Sequence, residues 1–182
     1  MLDQKGHSDL KVVSEIDLTS DEHETITSLR NASFPDHRVL RSYFKQLPNY
    51  RLLNYQAKML VGYMGLDYRA IGINGVPLKV LGIIDFCVAK KSRGIGIGSA
   101  MLQFVHEFAL KKNVDFLMLI SERGTIYRNN GFQNIETEHS WLKVHDHQNH
   151  GVASERISEF YIKPIQSTDW PSGKVDWLGY MY

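Results

Sequence analysis

Cysteine is almost absent from the chain. Cys87 stands alone, which excludes an internal disulfide and fits a reducing compartment. Charge of one sign is also lacking: 21 Lys and Arg meet 20 Asp and Glu, for a net charge of +1. A dedicated nucleic-acid binder would carry a basic excess. No apolar run approaches the ~20 residues of a bilayer-crossing helix. The opening MLDQKGHSDLK mixes both charge signs and has no apolar core of the kind a secretory leader needs. These absences predict a cytoplasmic protein with no nucleic-acid and no membrane partner. There is no internal repeat and no low-complexity tract. With 182 residues, 43% of them hydrophobic, the expectation is one domain spanning 1–182, its first eight residues frayed and 163–182 forming an aromatic C-terminal extension.

What is present reads as alternating strands and helices. LKVVSEIDL (10–18) predicts a first strand, and Thr19 to Glu22 offers capping chemistry for the helix that follows. A second short helix is expected from Arg38 to Gln46, stopped at Pro48. Tyr50–Tyr55, Met59–Ile73 and Val76–Ala89 predict a meander. Asn74-Gly75 sits between its long arms, where both turn residues must tolerate positive φ. VLGIIDFCV (80–88) is nearly continuously apolar, as in a strand covered on both faces. Ser99–Lys112 carries apolar residues at helical spacing, FLMLI (116–120) reads as a buried strand, and a short helix lies within Ser121–Asn130. Phe132–Glu136 and Glu159–Ile165 complete the strands, with the polar stretch His139–Arg156 between them as a hairpin tip. The fold class is α/β, with a mixed central sheet of about six or seven strands and flanking helices.

The most informative segment is VAKKSRGIGIGS, Val88 to Ser99, between a buried strand and a helix. Glycines there let several backbone N–H groups converge on an anion, and the helix N-terminus adds about half a positive charge. Lys90, Lys91 and Arg93 flank it, so a diphosphate is the natural ligand. A P-loop is excluded because no Gly-Lys-Ser/Thr occurs. A dinucleotide fingerprint lacks its third glycine, since Gly98 is followed by Ser-Ala-Met.

Arg93-Gly94-Ile95-Gly96-Ile97-Gly98 resembles the Arg/Gln-x-x-Gly-x-Gly/Ala signature of the GNAT superfamily of N-acetyltransferases. Tyr127-Arg128-Asn129-Asn130-Gly131-Phe132 is similar to that family's Tyr-x-x-x-Gly-Phe, in the same order and at similar spacing. The close resemblance covers about Leu81 to Ile135. The residues before Tyr127 depart from it, with Ser121-Glu122-Arg123-Gly124-Thr125 in place of the Asn and Ala that many members carry.

The resemblance implies a GNAT fold and acetyl-CoA as the acetyl donor. It also implies a primary amine of a small molecule or peptide as acceptor, with acetyl passing directly between them. Backbone N–H groups from Gly94 through Ile95, Gly96, Ile97 and Gly98 to Ser99 would hold the pyrophosphate, with Arg93 adding charge. Phe86, Cys87 and Val88 would pair with the pantetheine arm and polarise the acetyl carbonyl. Tyr127 would protonate the departing thiolate, and Asp85, the ionisable residue of LGIIDFCV, would be the base. Asp67 and Glu122 are alternative bases, and a structural ion pair, for instance with Arg69, is the alternative role for Asp85. Acceptor residues are expected around 30–50 and 139–156, and a homodimer is common in the family.

The cluster His139, His145, His147 and His150 has no metal-ligand spacing, so no metal is expected; His145 or His147 would instead border the acceptor. The tail DWPSGKVDWLGYMY is too apolar to hang free and should pack on the domain. Its acidic and tryptophan content is loosely similar to aminoglycoside 2′-N-acetyltransferases. That reading predicts Asp36, Asp169 and Asp176 beside a polycationic acceptor. A non-catalytic acyl-CoA-binding or regulatory module on the same fold is the alternative from another class.

Overall fold

Long antiparallel pairings dominate the architecture. The computed structural model describes residues 9–166 and 169–182; the expectation of fraying at 1–8 lies outside them. In chain order the elements are β1 (Asp9–Ser14), α1 (Ser20–Ser33), β2 (Tyr50–Gln56), β3 (Met59–Ile73), β4 (Val76–Val88), α2 (Ile97–Leu110), β5 (Phe116–Ile120), α3 (Gly124–Asn129), β6 (Gln133–Asn134), β7 (Thr137–His145), β8 (Gln148–Ile157), β9 (Phe160–Pro164) and β10 (Val175–Tyr180).

The strands form one mixed sheet in the order β6-β9-β5-β4-β3-β10-β7-β8. β3 has room for two neighbours on its outer side. β2 pairs along Met59–Leu66, with β1 beyond it, and β10 pairs at Gly72–Ile73. β4 takes the centre, as its apolar run predicts. The β3–β4 turn has Asn74 at φ 48° and Gly75 at φ 80°, the conformation a two-residue hairpin requires.

The described residues hold ten strands, more than the six or seven expected. His139–Arg156 is largely β7 and β8, and the tail supplies β10 in parallel with β7. The aromatic tail therefore packs as expected. Trp177 is fully buried, and Trp170 meets Phe116 edge-on at 5.0 Å.

The helices cover the sheet on both faces. Ile97, Met101, Leu102, Val105 and Ala109 of α2 pack with Met64, Leu66, Leu81 and Leu117. α1 buries Ile26 with Leu53, Tyr63 and Cys87 on the opposite face. α1 starts at a reciprocal capping box: Thr19 Oγ1 accepts from Glu22 N–H, and the Glu22 carboxylate accepts from Thr19 N–H.

Two local expectations are corrected. The first strand ends at Ser14, and Glu15–Asp17 is a 3-10 turn. No helix forms over 38–46. Carbonyls that such a helix would need are taken by side-chain donors, two of them from outside the segment. Arg51 Nη1 donates to Ser42 O at 2.7 Å, Arg41 Nη2 to Phe44 O at 2.7 Å, and Asn31 Nδ2 to Val39 O at 2.7 Å. Arg51 is fully buried, and its other donors reach Glu15 and Tyr63. The 38–49 segment is thus pinned as an irregular wall rather than wound into a helix.

Candidate active site

Two parallel strands part company at the centre of the sheet. β4 and β5 are paired only through Val80–Gly82 and Phe116–Met118. Beyond Gly82 the β4 edge runs on to Val88 without β5 beside it. The cause lies within β4. Gly65 faces Ile84 and Tyr63 faces Cys87 across β3, so Asp85 and Phe86 together oppose one residue, Met64. This bulge puts Asp85 at φ 51°, a conformation that costs a non-glycine residue about 1–3 kcal/mol. The divergence opens a cleft of about 1690 Å³.

One side of the cleft is the glycine segment. Gly94 and Gly96 have φ of 80° and 88°, with no atom within 4 Å of where a Cβ would stand. Glycine is needed here for backbone conformation, not for space. Gly96 caps α2 without a side chain. The first-turn N–H groups of Ile97, Gly98 and Ser99 have no intrahelical acceptor and stand at the positive end of a 14-residue helix. Of the ten donor-binding residues expected from the sequence, all but Ile95 line the cleft; Ile95 is 68% exposed and turns away. Arg93 Nε donates to Val88 O at 2.8 Å, tying the loop to the end of β4.

Tyr127 enters the cleft from α3. It is 7% exposed, among Phe86, Phe132 and Tyr161 at ring separations of 6.3, 5.8 and 5.8 Å. Burial raises its pKa, against a smaller opposing effect of the Ser121 hydrogen bond and the Arg123 charge. Its phenol is therefore protonated throughout the neutral range. Cys87 also lines the cleft, but burial pushes its thiol up to about 12, so it is not a thiolate at neutral pH.

Asp85 faces α1. Its Oδ2 accepts from Arg30 Nε at 2.7 Å, and Arg30 is 1% exposed. Among the described residues nothing is hydrogen-bonded to Oδ1. The ion-pair partner is thus Arg30 and not Arg69. Arg69 lies opposite Val80, five residues from Asp85 and so about 17 Å along the strand. It pairs with Asp67 at 2.6 Å instead.

Sequence reasoning marked 30–50 as the region bordering the acceptor, but of the wall facing the glycine loop it singled out only Asp36, and it did not place Tyr180 and Tyr182 there. Arg30 comes from α1, Phe34 to His37 from the turn after it, Phe44 to Gln46 from the pinned loop, and Tyr180 and Tyr182 from β10 and the residues after it. Residues 30–50 therefore border the cleft as expected. Residues 139–156 do not: His147 meets Tyr43 at 3.2 Å, and neither His145 nor His147 lines the cleft. Of Asp36, Asp169 and Asp176, only Asp36 does. Asp67 lies outside the lining, while Glu122 is part of it.

Residues 16–135 match the family model of the acetyltransferase (GNAT) domain. No curated protein matches the chain in sequence. Several solved structures share its fold. The GNAT family N-acetyltransferase YhbS of Escherichia coli, solved in complex with CoA, superimposes with a TM-score of 0.66 at 13% identity, over 97% of this chain and 92% of that one. A GNAT family acetyltransferase from Brucella melitensis, in complex with acetyl-CoA, gives 0.60 at 16% identity over 93% and 96%. Escherichia coli ElaA gives 0.59 at 14% identity over 86% and 99%.

Proposed function

The chain belongs to the GNAT acetyltransferase family, and on that premise we propose that it transfers acetyl from acetyl-CoA directly to a primary amine of a small molecule or peptide. The observation that carries the reading is the meeting, in one cleft, of the unpaired β4 edge with the capless N-terminus of α2. The first suits an extended pantetheine arm, which would add to the sheet as a strand does. The second suits a pyrophosphate. Two of the structural neighbours were solved with CoA or acetyl-CoA, which supports the same donor here.

In this mechanism the amine nitrogen attacks the acetyl carbon and the carbon–sulfur bond breaks. A backbone N–H of the Phe86–Val88 segment polarises the carbonyl. Asp85, with Oδ2 held by Arg30, takes the proton lost by the acceptor through Oδ1. Tyr127 gives its proton to the departing sulfur and is reprotonated from solvent. The acceptor ammonium loses its first proton to solvent before attack, Asp85 passes the second on to solvent, and Tyr127 takes one back, so the net products are the amide, CoA as its thiol and one proton. The raised thiol pKa of Cys87 disfavours an acetyl-enzyme route.

Calorimetric titration with acetyl-CoA, combined with CoA release over a panel of amines, tests the proposal. Saturable binding and amine-dependent release are expected. Absence of acetyl-CoA binding overturns it. Binding with no release on any amine replaces it with the non-catalytic acyl-CoA-binding reading.

A further inference from the structure

The fork between β4 and β5 closes at Gly82 and Met118, their last paired residues. Its two faces are closed differently. Side chains alternate along both strands. On the face covered by α2 stand Leu81 and Ile83 of β4 and Leu117 and Leu119 of β5, all buried with Tyr127 in one core cluster. On the opposite face β5 places Phe116, Met118 and Ile120, while β4 has Val80 and then no side chain at Gly82. Tyr182 fills that gap. A Cβ at Gly82 would fall on the Tyr182 phenol oxygen. Gly82 is not among the positive-φ residues, so glycine serves here for space and not for conformation.

Tyr182 is held in place from three directions. Its ring meets that of Trp177, a fully buried residue, edge-on at 4.9 Å. The Tyr180 ring is 6.4 Å away. Lys45 Nζ donates to the main-chain oxygens of Met181 and Tyr182 at 3.0 and 2.9 Å. The Tyr182 hydroxyl itself is buried and has no hydrogen-bond partner among the described residues. The contribution of this side chain at the fork is therefore its bulk.

This bulk marks the inner end of the cleft. β4 lines the cleft from Ile83 to Val88 and β5 lines it with Ile120; Gly82 and Met118 do not line it, and Tyr182 does. A donor laid along the β4 edge, with its pyrophosphate at the start of α2, runs from Val88 toward Gly82. An acyl chain continuing past the sulfur cannot follow that edge, because β5 takes it up at Gly82. The α2 face is already filled by Ile83 and Leu119. On the other face Ile84 and Ile120 offer an apolar entrance, and Tyr182 blocks its end. A longer chain turned back from there would lie across Asp85, which lines the same cleft, and so in the way of the acceptor amine.

From this arrangement we infer that Tyr182 limits the donor to a short acyl group by closing the fork over Gly82. The inference rests on the donor placement proposed above.

The experiment compares acetyl-CoA with hexanoyl-CoA in the full chain and in Tyr182→Val, Tyr182→Leu and Tyr182→Phe. Calorimetry reads binding, and CoA release is followed with an amine that the acetyl reaction accepts. The unaltered protein should favour acetyl-CoA by about tenfold or more in kcat/KM, the weight of a few methylenes without a pocket. Tyr182→Val and Tyr182→Leu should bind hexanoyl-CoA about fivefold or more tightly than the unaltered protein does, and narrow or reverse the preference, with acetyl-CoA affinity unchanged. Tyr182→Phe keeps the ring and drops a hydroxyl without a partner, so it should match the unaltered protein. Gly82→Ala should lower Tm in the unaltered background and much less beside Tyr182→Val. Equal use of both donors by the unaltered protein, hexanoyl-CoA affinity untouched in Tyr182→Val and Tyr182→Leu, or a Tyr182→Phe shift as large as theirs overturns the inference while acetyl-CoA still binds. Failure of both CoA esters to bind the unaltered protein overturns the donor reading, and the inference falls with it.

Discussion

The two sides of the cleft are built in opposite ways. The glycine-loop side is continuous chain: β4, the loop, α2, β5 and α3 follow one another from Val76 to Asn129. Its function-bearing features are backbone features, namely a bulge, two positive-φ glycines and an uncapped helix start. The aromatic side joins the end of α1, a loop without regular structure, and the tail after β10. Its features are side chains, placed by long-range contacts such as Arg30 with Asp85 and Lys45 with Tyr182. Backbone conformation restricts residue type strongly, so the first side leaves a mark on the sequence. Side-chain convergence from distant segments leaves none.

The largest effect expected from a change on the glycine-loop side is at Tyr127, which it contributes through α3. Tyr127→Phe should lower kcat about 10²–10⁴-fold, the usual weight of a general acid, and leave acetyl-CoA affinity unchanged. Steady-state CoA release and calorimetry read the two quantities separately. A loss below about threefold assigns the proton donor elsewhere. Because burial raises the phenol pKa, kcat/KM in the unaltered protein should climb from pH 7 to 9.5 as the amine deprotonates, with no alkaline fall.

On the aromatic side the matching change is Arg30→Met. Removing one partner of a buried ion pair typically costs about 3–5 kcal/mol, and Arg30 is 1% exposed. Urea denaturation should show a loss of that size. Arg30→Met with Asp85→Asn should recover part of it, since the stranded carboxylate is gone. An additive double variant would mean that the two sides of the cleft are not coupled through this pair.

This pair also shows where the sequence stops being informative. The Asn74-Gly75 turn, the Thr19–Glu22 capping box and the α2 register are all local relations, and each is present. The partner of Asp85 is not local. The hairpin sets Arg69 against Val80 and so away from Asp85. Arg30, 55 residues upstream, has nothing in its own segment to mark it as different from any helical arginine. The expected helix over 38–46 failed for the same reason: local propensity was overruled by donors from Asn31 and Arg51.

A third test reaches the aromatic side through its support. His139 is fully buried, accepts from Trp177 Nε1 at 3.0 Å through Nδ1, and joins β7 to β10, the strand that carries Tyr180. Burial lowers its pKa to about 4. The unfolded chain takes up a proton below about 6.5, while the folded chain does not until about pH 4. The stabilisation is therefore complete above 6.5 and declines as pH falls toward 4, by on the order of 3 kcal/mol in all. The urea midpoint should fall over that window, and His139→Asn should flatten this limb.

The smallest effect is expected at Gly96, and it isolates what the glycine-loop side depends on. At φ 88° with open space around the missing Cβ, Gly96→Ala introduces no clash. The cost is the left-handed conformation alone, about 1–2 kcal/mol. Either stability falls by that amount, or the loop relaxes and acetyl-CoA binds up to about tenfold more weakly. Gly98 is the reverse case. Its φ is ordinary, but an added Cβ would stand 3.1 Å from Ile126 Cδ1 and 3.5 Å from Phe86. Gly98→Ala should therefore disturb the packing of α3 on the loop rather than the loop's conformation. Melting curves and acetyl-CoA titrations of both variants separate the two. A larger effect at Gly98 than at Gly96 would mean that this side, too, is held by side-chain packing, and the contrast between the two walls would narrow to a difference of degree.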